Sequence, residues 1–211
     1  MKKKSPIEWI FQFWAWQVLA WTLYRYFFHL PEWADELIFK PLIFVLPVLW
    51  YVTKKEHGTL ETVGMTTRGF TRNILTGCLV GALFFAEGIF MNMMRHGKLM
   101  PDMHDVGLFI PLSLATAVTE EFLCRGFYFT RIFTVTKKVW YAVILSTLLF
   151  MAFHIPILAT TLKFHGMTLV LFFWTTVSLG VVNSIFYYKT QSLVVPILVH
   201  LFWNMTAVIL L

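Results

Sequence analysis

Residues 107–130, GLFIPLSLATAVTEEFLCRGFYFT, form an apolar run interrupted by three charges, Glu120, Glu121 and Arg125. At about 20 residues per crossing, such a run spans a bilayer as a helix. An ionisable side chain near the bilayer centre costs about 2.5–3.5 kcal/mol, so the three together cost on the order of 8 kcal/mol if they face lipid unpaired. They must therefore face the interior of a bundle and find partners there. Glu121 and Arg125 are four apart, share a helix face and can pair. Glu120 points about 100° away, which leaves it without that partner.

The remainder of the chain supplies the bundle. Of 211 residues, 58% are apolar and 13% charged, with a mean hydropathy of +0.71. A soluble domain has roughly 45–50% apolar and about 25% charged residues, so a soluble enzyme, a disordered chain and a disulfide-rich secreted domain are excluded. Six further apolar stretches can be marked, at 7–29, 37–53, 73–94, 139–161, 167–188 and 191–211. The expected fold is all-α, a polytopic transmembrane bundle of about seven helices, with one integral membrane domain filling 1–211. The second stretch is short and carries Pro41 and Pro47, which predicts a tilted, kinked or re-entrant segment. Lys2-Lys3-Lys4 before the first stretch resembles a signal-peptide start. That stretch is too long and too rich in Trp for one, and reads as a retained helix. Cys78 and Cys124 both lie in apolar stretches, which argues against a structural disulfide.

The formal charge of +6 points to no nucleic-acid partner, because in a membrane protein the distribution of Lys and Arg carries the information. With the N-terminus inside, the cytoplasmic face receives Lys2, Lys3, Lys4, Lys54, Lys55, Arg68, Arg72, Arg131, Lys137, Lys138 and Lys189. The outer face receives Lys40, Arg95, Lys98 and Lys163, with Arg25 near it and an acidic loop at 31–36. The expectation is a multi-pass protein of the cell membrane with a cytoplasmic N-terminus. In the third stretch, Glu87 is expected either to line a substrate path or to face the bundle, and Gly77 and Gly81 to mark close helix packing. The nine Trp residues are read chiefly as interfacial anchors.

Two more stretches carry polar residues at helical spacing: His154 one turn after Phe150, and His200 with Asn204 on one face. Counted from the stretch ends, Glu120, His154 and His200 lie at similar depth, roughly 10–18 Å from the outer boundary. A carboxylate and a neutral imidazole sharing one water can take its proton and make it nucleophilic. A second His with an Asn can direct N–H donors at a developing oxyanion. Together these suffice to hydrolyse an amide, and inside a membrane that amide is a peptide bond. Other protease chemistries lack their residues. There is no H-E-x-x-H and no rhomboid-like serine motif. Asp35, Asp102 and Asp105 fall in loops, which leaves no aspartyl dyad. Cys124 sits among acidic neighbours that oppose a thiolate.

Glu120-Glu121-Phe122-Leu123-Cys124-Arg125 fits E-E-x-x-x-R, Phe150-Met151-Ala152-Phe153-His154 fits F-x-x-x-H, and His200-Leu201-Phe202-Trp203-Asn204 fits H-x-x-x-N. In that order on three late stretches they resemble the CPBP family (CAAX proteases and bacteriocin-processing enzymes, also called Abi) of glutamic intramembrane proteases. The resemblance covers about 107–211. It implies that Glu120 and His154 activate water, that His200 and Asn204 form the oxyanion hole, and that Glu121, Arg125 and Phe150 support the site. It also implies that no metal or other cofactor is needed, although two His and one Glu are also a plausible zinc set. The partners implied are a membrane-embedded peptide or protein substrate and the lipid bilayer, with oligomeric state unspecified. Substrate candidates are prenylated tails, leader peptides, bacteriocin or pheromone precursors and membrane-anchored sorting tails. Two rivals are a non-catalytic scaffold or bacteriocin-immunity protein on the same fold, and a small transporter. The second lacks the internal repeat that transporters show.

Overall fold

Ser5 starts the first helix, α1 (Pro6–Phe27), through a reciprocal cap. Its hydroxyl accepts from the Glu8 N–H at 3.3 Å and the Glu8 carboxylate accepts from the Ser5 N–H at 3.0 Å, while Pro6 sits where no N–H is needed. The computed structural model describes residues 5–97 and 106–210. Lys2, Lys3, Lys4, Lys98, Asp102, His104 and Asp105 lie outside the described residues. Among those described, the helical segments after α1 are α2 (Glu32–Lys55), α3 (Phe70–His96), α4 (106–136), α5 (Val139–Leu162), α6 (Gly166–Thr190) and α7 (Val194–Leu210). They form a polytopic helical bundle. Among the described residues, four stretches are long and apolar enough to cross a membrane, namely Glu32–Lys55, Phe70–Met94, Val139–Leu162 and Gly166–Thr190.

The second helix departs from expectation. It begins five residues before 37–53 and absorbs the 31–36 acidic segment, so Asp35 is not a loop residue. The physical reason is that each acid finds a partner. Asp35, buried, accepts from the Tyr24 hydroxyl and the Arg25 guanidinium. Glu36, also buried, accepts from Lys40 Nζ at 2.8 Å and from the Thr116 hydroxyl at 2.5 Å. Pro41 and Pro47 do not stop the helix. Wide i→i+5 turns over Asp35–Phe39 and Pro41–Val45 take up the strain, as such bulges do.

The fourth helix is the axis of the bundle. Its middle, Phe122–Phe129, is again widely wound, and every side chain in it is buried. On α3, a Cβ added at Gly77, Gly81 or Gly88 would come 2.8, 2.2 and 2.5 Å from Leu198, Phe202 and Thr206 of α7. The G-x-x-x-G spacing is therefore a seam within this chain. Glu87 matches neither expected placement. It is exposed, and at four-residue spacing it continues the exposed row Leu75, Leu79 and Leu83 on the face of α3 turned away from α7. Trp16, Trp33, Trp50, Trp140 and Trp174 are exposed, as anchors should be. Trp21 is 2% exposed, however, and Trp14 donates to the Leu149 carbonyl at 3.4 Å, so these two belong to the interior.

The helix ends sort into two faces. Lys54, Lys55, Arg68, Arg72, Arg131, Lys137, Lys138 and Lys189 gather at one end, where the connections after α2, α4 and α6 lie. At the other end lie the connections after α1 and α5 and the start of α4.

Candidate active site

Glu121 and Arg125 are both completely buried and are joined at 3.0 Å from Nη1 to Oε1. The same Glu121 oxygen accepts from Asn183 Nδ2 at 2.9 Å and faces His200 Nδ1 at 2.7 Å. The second arm of Arg125 donates to the Gly180 carbonyl at 3.0 Å, and its guanidinium lies 4.5 Å above the Phe150 ring. The Glu121–Arg125 pair thus ties α4, α5, α6 and α7 together. The pairing expected from the four-residue spacing is present, with Asn183 as a partner that spacing could not supply.

Glu120 faces the other way, into a cavity of about 290 Å³ lined also by Trp21, Lys40, Ser113, His154, His200 and Asn204. It is not free, as the sequence suggested. Lys40 of α2 donates to its Oε1 at 2.9 Å while also donating to Glu36. Oε2 has no hydrogen-bond partner among the described residues although it is buried. That oxygen lies 3.8 Å from His154 Nε2 and 3.8 Å from His200 Nε2, too far for a direct hydrogen bond. An oxygen atom standing between Oε2 and either Nε2 would lie within hydrogen-bond reach of both.

Both imidazoles are oriented from behind. Pro156 interrupts α5 and His154 adopts the turn between its halves. The Phe150 carbonyl left over by that break lies 3.0 Å from His154 Nδ1. A carbonyl only accepts, so Nδ1 carries the proton and the Nε2 lone pair faces Glu120. His200 Nδ1 likewise donates to Glu121, so its Nε2 can donate into the cavity only when both ring nitrogens carry a proton. Phe150 packs edge-on against both rings, with centroids at 4.7 and 5.9 Å. Asn204 donates one amide hydrogen to the Ser113 carbonyl at 3.3 Å and keeps a second for the cavity.

All seven residues singled out in the three motifs therefore meet at one place: Glu120, His154, His200 and Asn204 around the cavity, and Glu121, Arg125 and Phe150 beneath it. A family model described as type II CAAX prenyl endopeptidase Rce1-like matches residues 102–206. The chain belongs to this family. It is the CPBP group that the motifs resembled, and the matched span carries all seven residues. No curated protein and no solved structure matches the chain. Lys40, Glu36 and Trp21 complete the cavity of this Rce1-like chain from outside the matched span. Lys40 could have been found as a lysine one turn from Glu36 at the edge of an apolar stretch, and Asn183 as a lone amide within another.

Proposed function

We propose that this chain is an intramembrane endopeptidase of the glutamic, metal-independent type, resident in the cell membrane with its Lys- and Arg-rich face in the cytoplasm. The observation that carries the reading is Glu120 Oε2, a buried oxygen without a hydrogen-bond partner among the described residues that faces two imidazole Nε2 atoms at equal distance. A water in contact with Glu120 and His154 gives up a proton to that pair as its oxygen attacks the scissile carbonyl. The carbonyl oxygen becomes an oxyanion and receives N–H donors from His200 Nε2 and Asn204 Nδ2. The captured proton then moves to the leaving amine as the C–N bond breaks. Lys40 fixes the other oxygen of Glu120, which turns Oε2 toward the imidazoles. Glu121 and Arg125 hold His200 in the required orientation.

Cleavage of a membrane-anchored reporter peptide library by the detergent-purified protein tests this reading. Glu120→Ala and His154→Ala are each expected to lower the rate by about 10²–10⁴-fold, and EDTA to leave it unchanged. Loss in EDTA with recovery in zinc would replace the scheme with a metalloenzyme. Persistence of cleavage in both variants would remove the two residues from the chemistry.

A further inference from the structure

Among the described residues, those that line the cavity and stand at helix ends belong to one face of the bundle. Among the residues at its mouth, Glu32 is the first residue of α2, Leu162 the last of α5, and Phe109 stands in the first turn of α4. Among the described residues, no lining residue comes from the ends of the helices at the Lys- and Arg-rich face. On that side the floor formed by Glu121, Arg125 and Asn183 rests on close packing: Leu123, Phe127, Tyr128, Val143, Val195 and Val199 are all 0–1% exposed. The 60–65 turn seals it further. The Gly64 carbonyl accepts from the Leu193 N–H at 3.0 Å, and a Cβ on Gly126 would stand 2.6 Å from the Val63 carbonyl oxygen, which leaves no channel there.

The mouth face also carries fewer cations: among the described residues these are Arg25, Lys40, Arg95 and Lys163. Two of its cations, Arg25 and Lys40, are spent in the ion pairs with Asp35 and with Glu36 and Glu120. Eight described Lys and Arg stand at the sealed face, and a cluster of this kind is retained on the cytoplasmic side.

We infer that the site draws its substrate from the extracytoplasmic side, so that the substrate class is an exported or membrane-spanning polypeptide whose scissile bond is presented there. The inference rests on the proteolytic reading above. Lys40 lies just over two helical turns below Glu32, about 12 Å, so roughly four residues of extended chain thread from the mouth to the carboxylate. The walls they pass are aromatic (Trp21, Phe44, Phe109, Phe153 and Phe172), which suits apolar side chains on either side of the cut.

Two measurements on the full chain in sealed membrane vesicles of known orientation test the inference. In a Cys78→Ser background, with Cys124 only 1% exposed, a membrane-impermeant maleimide should label Glu32→Cys in right-side-out vesicles and Lys54→Cys in inside-out vesicles. Labelling of Glu32→Cys only from the inside-out preparation overturns the inference. The second measurement co-expresses the protein with single-helix reporters that carry the same apolar linker and tag on the outer or on the cytoplasmic flank. Glu120-dependent loss of the outer tag alone supports it, and loss of the cytoplasmic tag alone overturns it. If Glu32→Cys labels from outside but neither tag is lost, the proteolytic reading fails and the substrate class falls with it, while the route of access stands.

Discussion

Glu120 and Glu121 are neighbours in sequence, equal in chemistry and opposite in surroundings. Glu121 is wholly enclosed, with three donors on one oxygen and an arginine as counter-ion. Glu120 has one oxygen held by Lys40 and one left facing two imidazoles across a cavity. Each has a second oxygen without a hydrogen-bond partner among the described residues, but that of Glu121 is sealed in the packing at 0% side-chain exposure, out of a substrate's reach, and the value of its ion pair is to fix helices in register. That of Glu120 opens on the cavity and retains a basic atom where a water can stand. On the proposed reading a single residue step thus separates scaffold from chemistry, and the approximate 100° turn between successive residues is what makes the division possible.

The contrast breaks most sharply under conservative substitution. Glu121→Gln leaves Arg125 as a buried charge without a counter-ion, a loss of about 3–5 kcal/mol, so thermal unfolding in detergent should fall steeply and activity should go with it. Glu120→Gln leaves Lys40 paired one-to-one with Glu36, so the unfolding temperature should hardly move, a change of about 1 kcal/mol or less, while cleavage disappears. Equal destabilisation by the two variants would mean that Glu120 is also scaffold, and the division of labour would be wrong.

How much of this could be read from the sequence follows from the same contrast. Six of the seven motif residues stand out because ionisable and amide side chains are costly in apolar stretches, Phe150 being marked only by its place one turn before His154, and spacing alone pairs Glu121 with Arg125. The helical bundle was legible for the same reason, since long apolar runs have few other folds. The sequence puts Lys40 on the outer face because its partner Glu120 lies 80 residues away, and Glu36 one turn before it is a local sign of pairing but not of burial. The start of α2 was misplaced because Asp35 and Glu36 look like loop residues until Arg25, Tyr24 and Lys40 are seen beside them. For Glu87 the sequence leaves a substrate path and a bundle-facing position equally open, and the glycine seam of α3 gives the bundle side to Gly81 and Gly88.

A smaller effect is expected at Asn204. Its amide is tied to the Ser113 carbonyl and therefore pre-aimed, so Asn204→Ala removes one oxyanion donor and should cost about 10²–10³ in turnover with substrate binding little changed. A loss confined to KM would place Asn204 in substrate binding and weaken its assignment to the oxyanion.

The smallest and most informative effect concerns Lys40, which joins the two-carboxylate contrast to a helix outside the matched span. If Lys40 only filled space, Lys40→Met would cost stability and leave the turnover of the folded fraction alone. The geometry argues otherwise. Lys40 Nζ lies 2.9 Å from Glu120 Oε1 and 2.8 Å from Glu36 Oε2, so removing it frees Glu120 to rotate and sets two carboxylates against each other in a site that is otherwise well packed. A misplacement of about 1 Å can cost on the order of 10²-fold in a positioned reaction, and part of that loss should appear here, in kcat more than in KM. Lys40→Arg keeps the charge and should recover some of the rate. Lys40→Met combined with Glu36→Gln relieves the repulsion without restoring the clamp, so it should recover stability but not turnover. Recovery of both by the double variant would reduce Lys40 to charge compensation, and Glu120 would then be oriented by α4 alone.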